Sequence, residues 1–347
     1  MAEHPIRNGR KILIVGPAWV GDMVMSQVLF ILLKQQNPDV IIDVLAPAWS
    51  EALLMRMPQV HSSLISPFGH GELRLKERYL LGKKLRAYEY DQVIILPNSL
   101  KSALTPFYAK IPQRTGWQGE WPRFLFFNDA RKLDKAKLPL MIQRFAALAF
   151  SSQAKLPEKL PYPHLIVSQD ALNAALGKYG IDNPTAPLLI LAPGAEFGPS
   201  KRWPARYFAE VAKVKLDQGW DVWLFGSPKD ASIAAEIQEH IKHRAVDFVG
   251  KTSLAEAVDL MSLGNVVLSN DSGLMHIAAA LNLPLIAVYG STSPKFTPPL
   301  GDKVEILNLN LPCSPCFKRE CPLKHWRCML DLTPALVIPK LDSIRAL

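Results

Sequence analysis

The chain has 347 residues, 49% of them apolar and 20% charged, which is more than one hydrophobic core usually serves, so about two domains are expected. No uninterrupted apolar run approaches the ~20 residues that span a bilayer, and the opening MAEHPIRNGRK lacks a signal-peptide apolar stretch, so a soluble cytoplasmic protein is expected. The net charge of +9 is unevenly placed: residues 1–165 hold 22 Lys and Arg against 13 Asp and Glu, and residues 166–347 hold 18 of each.

From Lys11 the pattern reads strand (KILIV), glycine turn, then a helix through DMVMSQVLFILLKQQ that ends before Pro38. VIIDVLAP is a second strand and EALLMRM starts another helix. DQVIILP (Asp91–Pro97) is a third strand, whose unbroken apolar run suits burial on both faces. Around Ser151–Leu165 prolines gather without apolar periodicity and mark a linker. The alternation then restarts with PLLILAPG, a helix over PARYFAEVAKVKLDQG, WDVWLFGS, a helix over KDASIAAEIQEHI, AVDFVG, a helix over SLAEAVDLMSLG, NVVLSND, a helix over GLMHIAAALN, and PLIAVYGS. Strands alternating with helices predict an α/β chain of parallel, doubly wound sheets. We expect one Rossmann-like domain over 1–160, a second over 161–332, and a closing helix in 333–347, begun by Thr333-Pro334, that packs back on the first. In such folds ligands bind at the carboxyl ends of the strands, here around one central cleft.

Three stretches carry chemistry. GPAWVGDMVMS (Gly16–Ser26) has two glycines five apart behind an apolar strand, the spacing of a phosphate-cradling loop, but Asp22-Met23 stands where Lys-Ser would. LSNDSGLMHIAAA (Leu268–Ala280) ends a buried strand in Asn270-Asp271, and Ser272-Gly273 open a helix whose amides and dipole suit an anion. His276, four residues after Ser272, lies on the same helix face. APGAEFGPSKRWP (Ala192–Pro204) offers Lys201 and Arg202 on a loop after a strand. The plainer readings are that Asp22 and Ser272 are helix caps and that the cations are solvated. No Asp-x-Asp pair is present to hold a divalent ion on a diphosphate, so Lys201, Ser272 and helix amides would have to neutralise one.

Together GPAWVGDMVMSQ, PGAEFGPSKRWP and NDSGLMHIAAALNLPLIAVYGSTSP resemble the bacterial ADP-heptose:lipopolysaccharide heptosyltransferases in order and spacing over essentially the whole chain, and CSPCFKRECPLKHWRCM resembles the tail of the type II members. The resemblance implies a GT-B glycosyltransferase with an inverting displacement. Its first domain holds a heptosyl-Kdo-lipid A acceptor, its second holds ADP-heptose, and it works peripherally at the cytoplasmic face of the inner membrane. Carried over, Asp22 is the base, Lys201 the phosphate-facing lysine, and Asp271, Ser272, Gly273 and His276 the donor motif; Gly21, Arg114 and Arg123 join Asp22 on the acceptor side. Glu196 and Phe197 stand where some relatives place hydroxyl residues, which departs from the family pattern. No cofactor is required by this scheme; magnesium is compatible with it but not implied. Related alternatives are type I transfer to Kdo and a GT-B nucleotide-sugar 2-epimerase, which would release free sugar without a lipid acceptor. A non-enzymatic nucleic-acid binder would show steep salt dependence and no ADP release.

Two features stay open. Cys313, Cys316, Cys321 and Cys328 follow a C-x2-C-x4-C-x6-C spacing that suits either a structural zinc site, with His325 as a spare ligand, or a folded loop of reduced thiols. RTGWQGEWPRFLFFNDARKLDKAK (Arg114–Lys137) interleaves aromatics with Arg114, Arg123, Arg131, Lys132, Lys135 and Lys137, as for an anionic membrane surface, acceptor phosphates or single-stranded nucleic acid, unless its aromatics are buried.

Overall fold

A computed structural model describes residues 9–69 and 71–344; the opening segment 1–8 and the last three residues of the expected closing helix lie outside the described residues. The chain divides after Pro163 into two units.

The first unit runs β1 (Lys11–Val15), α1 (Val20–Gln36), β2 (Ile41–Ala46), α2 (Glu51–Leu54), β3 (Ser62–Ile65), α3 (Leu75–Leu85), β4 (Gln92–Ile95), α4 (Leu100–Tyr108), β5 (Gln113–Trp117), β6 (Asp129–Arg131) and α5 (Met141–Ala146). Its sheet is ordered β3-β2-β1-β4-β5-β6 with every neighbouring pair parallel. Leu13, Ile14, Ile42, Val44, Val93 and Ile94 are wholly buried. Consecutive strand residues can all be apolar because they meet cover on both faces of the sheet. The sequence marks β1, β2 and β4. It does not mark β3, β5 and β6, whose Ser, Gln, Arg or Asp residues interrupt any apolar run.

The second unit runs α6 (Gln169–Tyr179), β7 (Leu188–Ala192), α7 (Ala205–Asp217), β8 (Asp221–Leu224), α8 (Ala231–His240), β9 (Val246–Asp247), α9 (Leu254–Met261), β10 (Val266–Asn270), α10 (Gly273–Ala280), β11 (Leu285–Val288), β12 (Val304–Leu307), α11 (Arg327–Leu330) and α12 (Pro334–Ile344). Local chemistry sets the ends of several helices. Ser253 and Glu256 close a capping box on α9, and Gly180 ends α6 at φ 62°. The parallel sheet is ordered β12-β11-β10-β7-β8-β9. Counted from its own first strand, this repeats the order of the first unit.

The strand order reverses between β1 and β4 in one unit and between β7 and β10 in the other, and a doubly wound sheet binds its ligands at that crevice. Asp22 follows β1, Lys201 follows β7, and Asp271 to His276 follow β10.

The closing helix α12 packs on α7, β11 and β12. Val337, Leu341 and Ile344 join the core of Leu189, Phe208 and Val288, and the buried Lys215 ammonium pairs with Asp342. The buried apolar side of this helix is thus used within the second unit.

Candidate functional site

In the first unit β1 runs directly into Gly16. A Cβ there would lie 2.8 Å from Met23 Cε and 3.0 Å from Ala46 Cβ, so the turn seats closely on α1 and β2 only with glycine. Helix α1 starts at Val20 with Trp19 as N-cap and no side-chain cap. Gly21 is therefore inside the first helical turn rather than in a loop, and Asp22 is the third helical residue. That disposes of Asp22 as the cap itself. It leaves a partly exposed carboxylate in the first turn, a position at which the helix dipole favours an anion. Trp19, half exposed one turn earlier, is an open aromatic face that no motif in the sequence singled out.

Of the two arginines expected on the acceptor side, Arg114 is partly exposed and Arg123 is not exposed at all. Arg123 is fully buried. Its guanidinium donates to the carbonyls of Trp117, Ile95 and Pro97 and lies 4.4 Å from the Phe127 ring centroid. Burial pushes its pKa down to about 10. Arg114 donates to the carbonyls of Phe126 and Ile111. Arg131 is also buried, donating to Ala147 O and pairing with Asp129 at 2.7 Å. These side chains brace the loop between β5 and β6. The correction has a simple cause: QRTGW is an internal strand, and carbonyls at its end and at the end of β4 need donors that water cannot supply.

In the second unit the two motifs meet across neighbouring strands. Lys201 Nζ lies 2.6 Å from Asp271 Oδ2, with the two side chains 14% and 6% exposed, and Thr292, just after β11, donates its hydroxyl to the same carboxylate. Asn270 ties the motifs at the backbone: its Oδ1 accepts from Trp203 N–H at 3.0 Å and its Nδ2 donates to Pro193 O at 2.6 Å. Thr292 and the bridging role of Asn270 were not foreseen, because both depend on which strands are neighbours. Gly194 lies under the loop where a Cβ would fall 2.3 Å from Asp230 Oδ2, so no other residue fits without displacing that carboxylate.

Ser272 is the N-cap of α10, but its side chain makes no capping bond. The plain cap reading thus fails in its usual form, and hydroxyl and helix amides together present donors at the end of β10. His276 is buried and its pKa falls to about 4, chiefly through burial; Lys201 also lowers it while Asp271 opposes. It is a neutral imidazole at ordinary pH, able to donate or accept one hydrogen bond but not to add charge. The unit therefore offers one held ammonium, a hydroxyl, helix-terminal amides and a neutral imidazole, a set suited to a phosphate oxyanion. Phe197 does not replace a hydroxyl contact; its ring lies 5.2 Å from Lys201 Nζ and 5.6 Å from Arg319 Cζ.

The cysteine segment supports this loop. Ser200 N–H donates to Arg319 O and Ser200 Oγ to Lys318 O, Phe317 N–H donates to Ser291 O, and Ser314 Oγ donates to Gly290 O at 2.5 Å. All four cysteines are free and, with His325, line a cavity of about 20 Å³. Cys313 Sγ is 3.9 Å from His325 Nε2, yet among the described residues no group of three or more His, Cys, Asp or Glu is arranged to hold a metal ion.

Residues 78–327 match the family model for glycosyltransferase family 9 (heptosyltransferase). The chain is 43% identical over 343 residues to lipopolysaccharide heptosyltransferase 2 of Escherichia coli, covering 96% of this chain and 98% of that protein. It is 45% identical to lipooligosaccharide heptosyltransferase 2 of Haemophilus influenzae, covering 96% and 99%. Among solved structures, E. coli ADP-heptose lipopolysaccharide heptosyltransferase II matches with a TM-score of 0.86 and 41% identity, covering 97% and 98%. The two parallel six-stranded sheets are thus those of a GT-B fold.

Proposed function

The chain belongs to glycosyltransferase family 9, the heptosyltransferases, and from that premise we propose that it transfers heptose, with inversion, from ADP-L-glycero-D-manno-heptose to the first heptose of the lipopolysaccharide inner core. Support for the acceptor comes from relatives named as type 2 enzymes at 43–45% identity over nearly full length. The observation that supports the donor half most is the Lys201 ammonium held at 2.6 Å from Asp271, beside the uncapped Ser272 and the start of α10.

In this scheme an acceptor hydroxyl attacks the anomeric carbon, the bond from that carbon to the diphosphate oxygen breaks, and ADP carries away the electron pair. Asp22 takes the hydroxyl proton, which is general-base catalysis worth about a hundredfold or more. Lys201 and the α10 amides meet the charge that grows on the leaving diphosphate, where fixed donors act most strongly. Asp271 and Thr292 keep the ammonium in place. Neutral His276 contributes a hydrogen bond without competing for the phosphate charge. A carboxylate near the nucleophile and cations near the leaving group explain why Asp22 replaces the lysine of a phosphate-binding loop. No metal is needed in this scheme, and EDTA-treated protein should keep appreciable activity.

Among the described residues no helix is long and apolar enough to cross a membrane. We place the protein peripherally, at the cytoplasmic face of the inner membrane, because the proposed acceptor is lipid-linked. The test is to incubate it with ADP-heptose and a monoheptosyl Kdo-lipid A acceptor and weigh the product. A gain of one heptose with stoichiometric ADP release is expected. Transfer only to an acceptor lacking heptose would indicate the type I reaction, and no transfer to either would overturn the assignment.

A further inference from the structure

The first unit carries an outward apolar face that neither the fold nor the transfer chemistry uses. Helix α3 is turned the unusual way for a surface helix: Arg78, Gly82 and Leu85 are buried while Leu75, Tyr79 and Leu80 face outward. Two contacts hold it so. Buried Arg78 donates to the carbonyls of Leu73, Glu72 and Lys101, and at Gly82 an added Cβ would stand 2.6 Å from Tyr108 Cβ. Helices α3 and α4 therefore touch closely, and aromatic contacts continue the surface: Tyr79 to Tyr108 at 5.4 Å, and Phe107 to Phe126 at 5.1 Å. Phe126 closes the short 3₁₀ turn Arg123–Phe126, whose loop exposes Trp121 and Leu125 by 80% and 64%. Arg123, the buried brace described above, holds that turn out. Contiguous exposed apolar surface of this kind marks a docking site.

The charge on this face chooses the occupant. On α3, exposed Lys76, Lys83 and Lys84 stand among the apolar side chains against a single acid, Glu77, and the whole of the +9 lies in residues 1–165. Aromatic and aliphatic tips ringed by lysines match the interfacial zone of an anionic bilayer, where apolar groups enter the headgroup boundary and cations meet phosphate.

We infer that α3, α4 and the Trp121–Leu125 loop form the surface by which this protein docks on an anionic membrane. The inference deepens the lipid-linked acceptor reading and rests on it for its purpose, but its geometry stands apart from Asp22 and Lys201. It replaces Arg123 and Arg131, which are buried, as the membrane contacts.

Flotation with phosphatidylglycerol-containing and pure phosphatidylcholine vesicles tests it on the full chain. Lys83→Gln/Lys84→Gln should lower binding to the anionic vesicles roughly twenty-five-fold, about fivefold per lysine, and added salt should remove the difference. Leu80→Ser/Leu125→Ser should lower binding about tenfold or more at any salt. Both variants should keep wild-type ADP affinity and turnover on a deacylated, water-soluble acceptor. Wild-type protein that ignores anionic vesicles, variants that bind as wild type, or sedimentation showing a wild-type dimer that Leu80→Ser/Leu125→Ser dissolves, would each overturn the inference. Absence of turnover on the soluble acceptor by the wild type would instead overturn the transfer reading.

Discussion

Replacing Lys201 by methionine separates what the lysine does for the fold from what it does for the donor. The Asp271 carboxylate is 6% exposed and meets the lysine ammonium, at 2.6 Å, and the Thr292 hydroxyl. Removing one partner of a buried pair leaves an uncompensated charge, at a cost of about 3–5 kcal/mol. Lys201 retains 14% exposure, so the low end, about 3 kcal/mol, is expected. For a domain of this size that lowers the melting temperature of the second unit by roughly 6–12 °C. Lys201→Met/Asp271→Asn removes both charges and should recover most of that loss. ADP affinity should not recover. A charge-assisted hydrogen bond to phosphate is worth about 1.5–3 kcal/mol, so both variants should bind ADP about tenfold to a hundredfold more weakly than wild type. Scanning calorimetry supplies the stabilities and titration calorimetry the ADP affinities. If the double variant binds ADP as tightly as wild type, the lysine serves only to satisfy Asp271 and the phosphate role is refuted. If the single variant is no less stable than the double, the pair is not energetically coupled.

Asp22→Asn should reduce turnover about a hundredfold or more while leaving ADP-heptose binding unchanged, since the base acts on the acceptor; near-normal turnover in stopped assays would exclude it. His276 gives a pH signature: its folded pKa of about 4 lies below the ordinary 6.5, so the unfolded chain takes up a proton that the folded chain refuses as pH drops below 6.5. Stability contributed by the neutral ring is complete above that value and falls by about 3 kcal/mol towards pH 4; urea unfolding at pH 7 and pH 5 should show a flatter dependence for His276→Gln, and an identical slope would contradict the burial argument. Arg123→Ala should destabilise the first unit by roughly 3 kcal/mol, leaving the carbonyls of Trp117, Ile95 and Pro97 without their donor; a fully stable variant with a raised acceptor KM would restore Arg123 to the acceptor site.

The fold class was written in the sequence wherever strands are buried on both faces. ILIV of KILIV, VIIL of DQVIILP and LLILA of PLLILA are continuous apolar runs, and glycine or proline ends each run near its true boundary, because those signals are local. β5 was hidden since QRTGW offers no run at all; its burial comes from pairing with β4 and β6. The same loss of context turned Arg123 into a surface cation in sequence, where a basic residue among aromatics reads as exposed. For the donor half, the residue types Lys201, Asp271, Ser272 and His276 were legible as motifs with anion chemistry. Their mutual arrangement was not. Whether Lys201 faces solvent or Asp271, and that Thr292 completes the pair, follow from β7, β10 and β11 lying side by side, which no spacing along the chain encodes. Likewise no sequence signal singled out Leu75, Tyr79 and Leu80, which face outward on α3. Only the close approach of α3 to α4 at Gly82 decides that this side is left to the solvent. Sequence determines local geometry and residue chemistry because those depend on neighbours a few bonds away; which groups share a dielectric, a partner or a surface depends on contacts across many tens of residues, and these exist only after the sheets have formed.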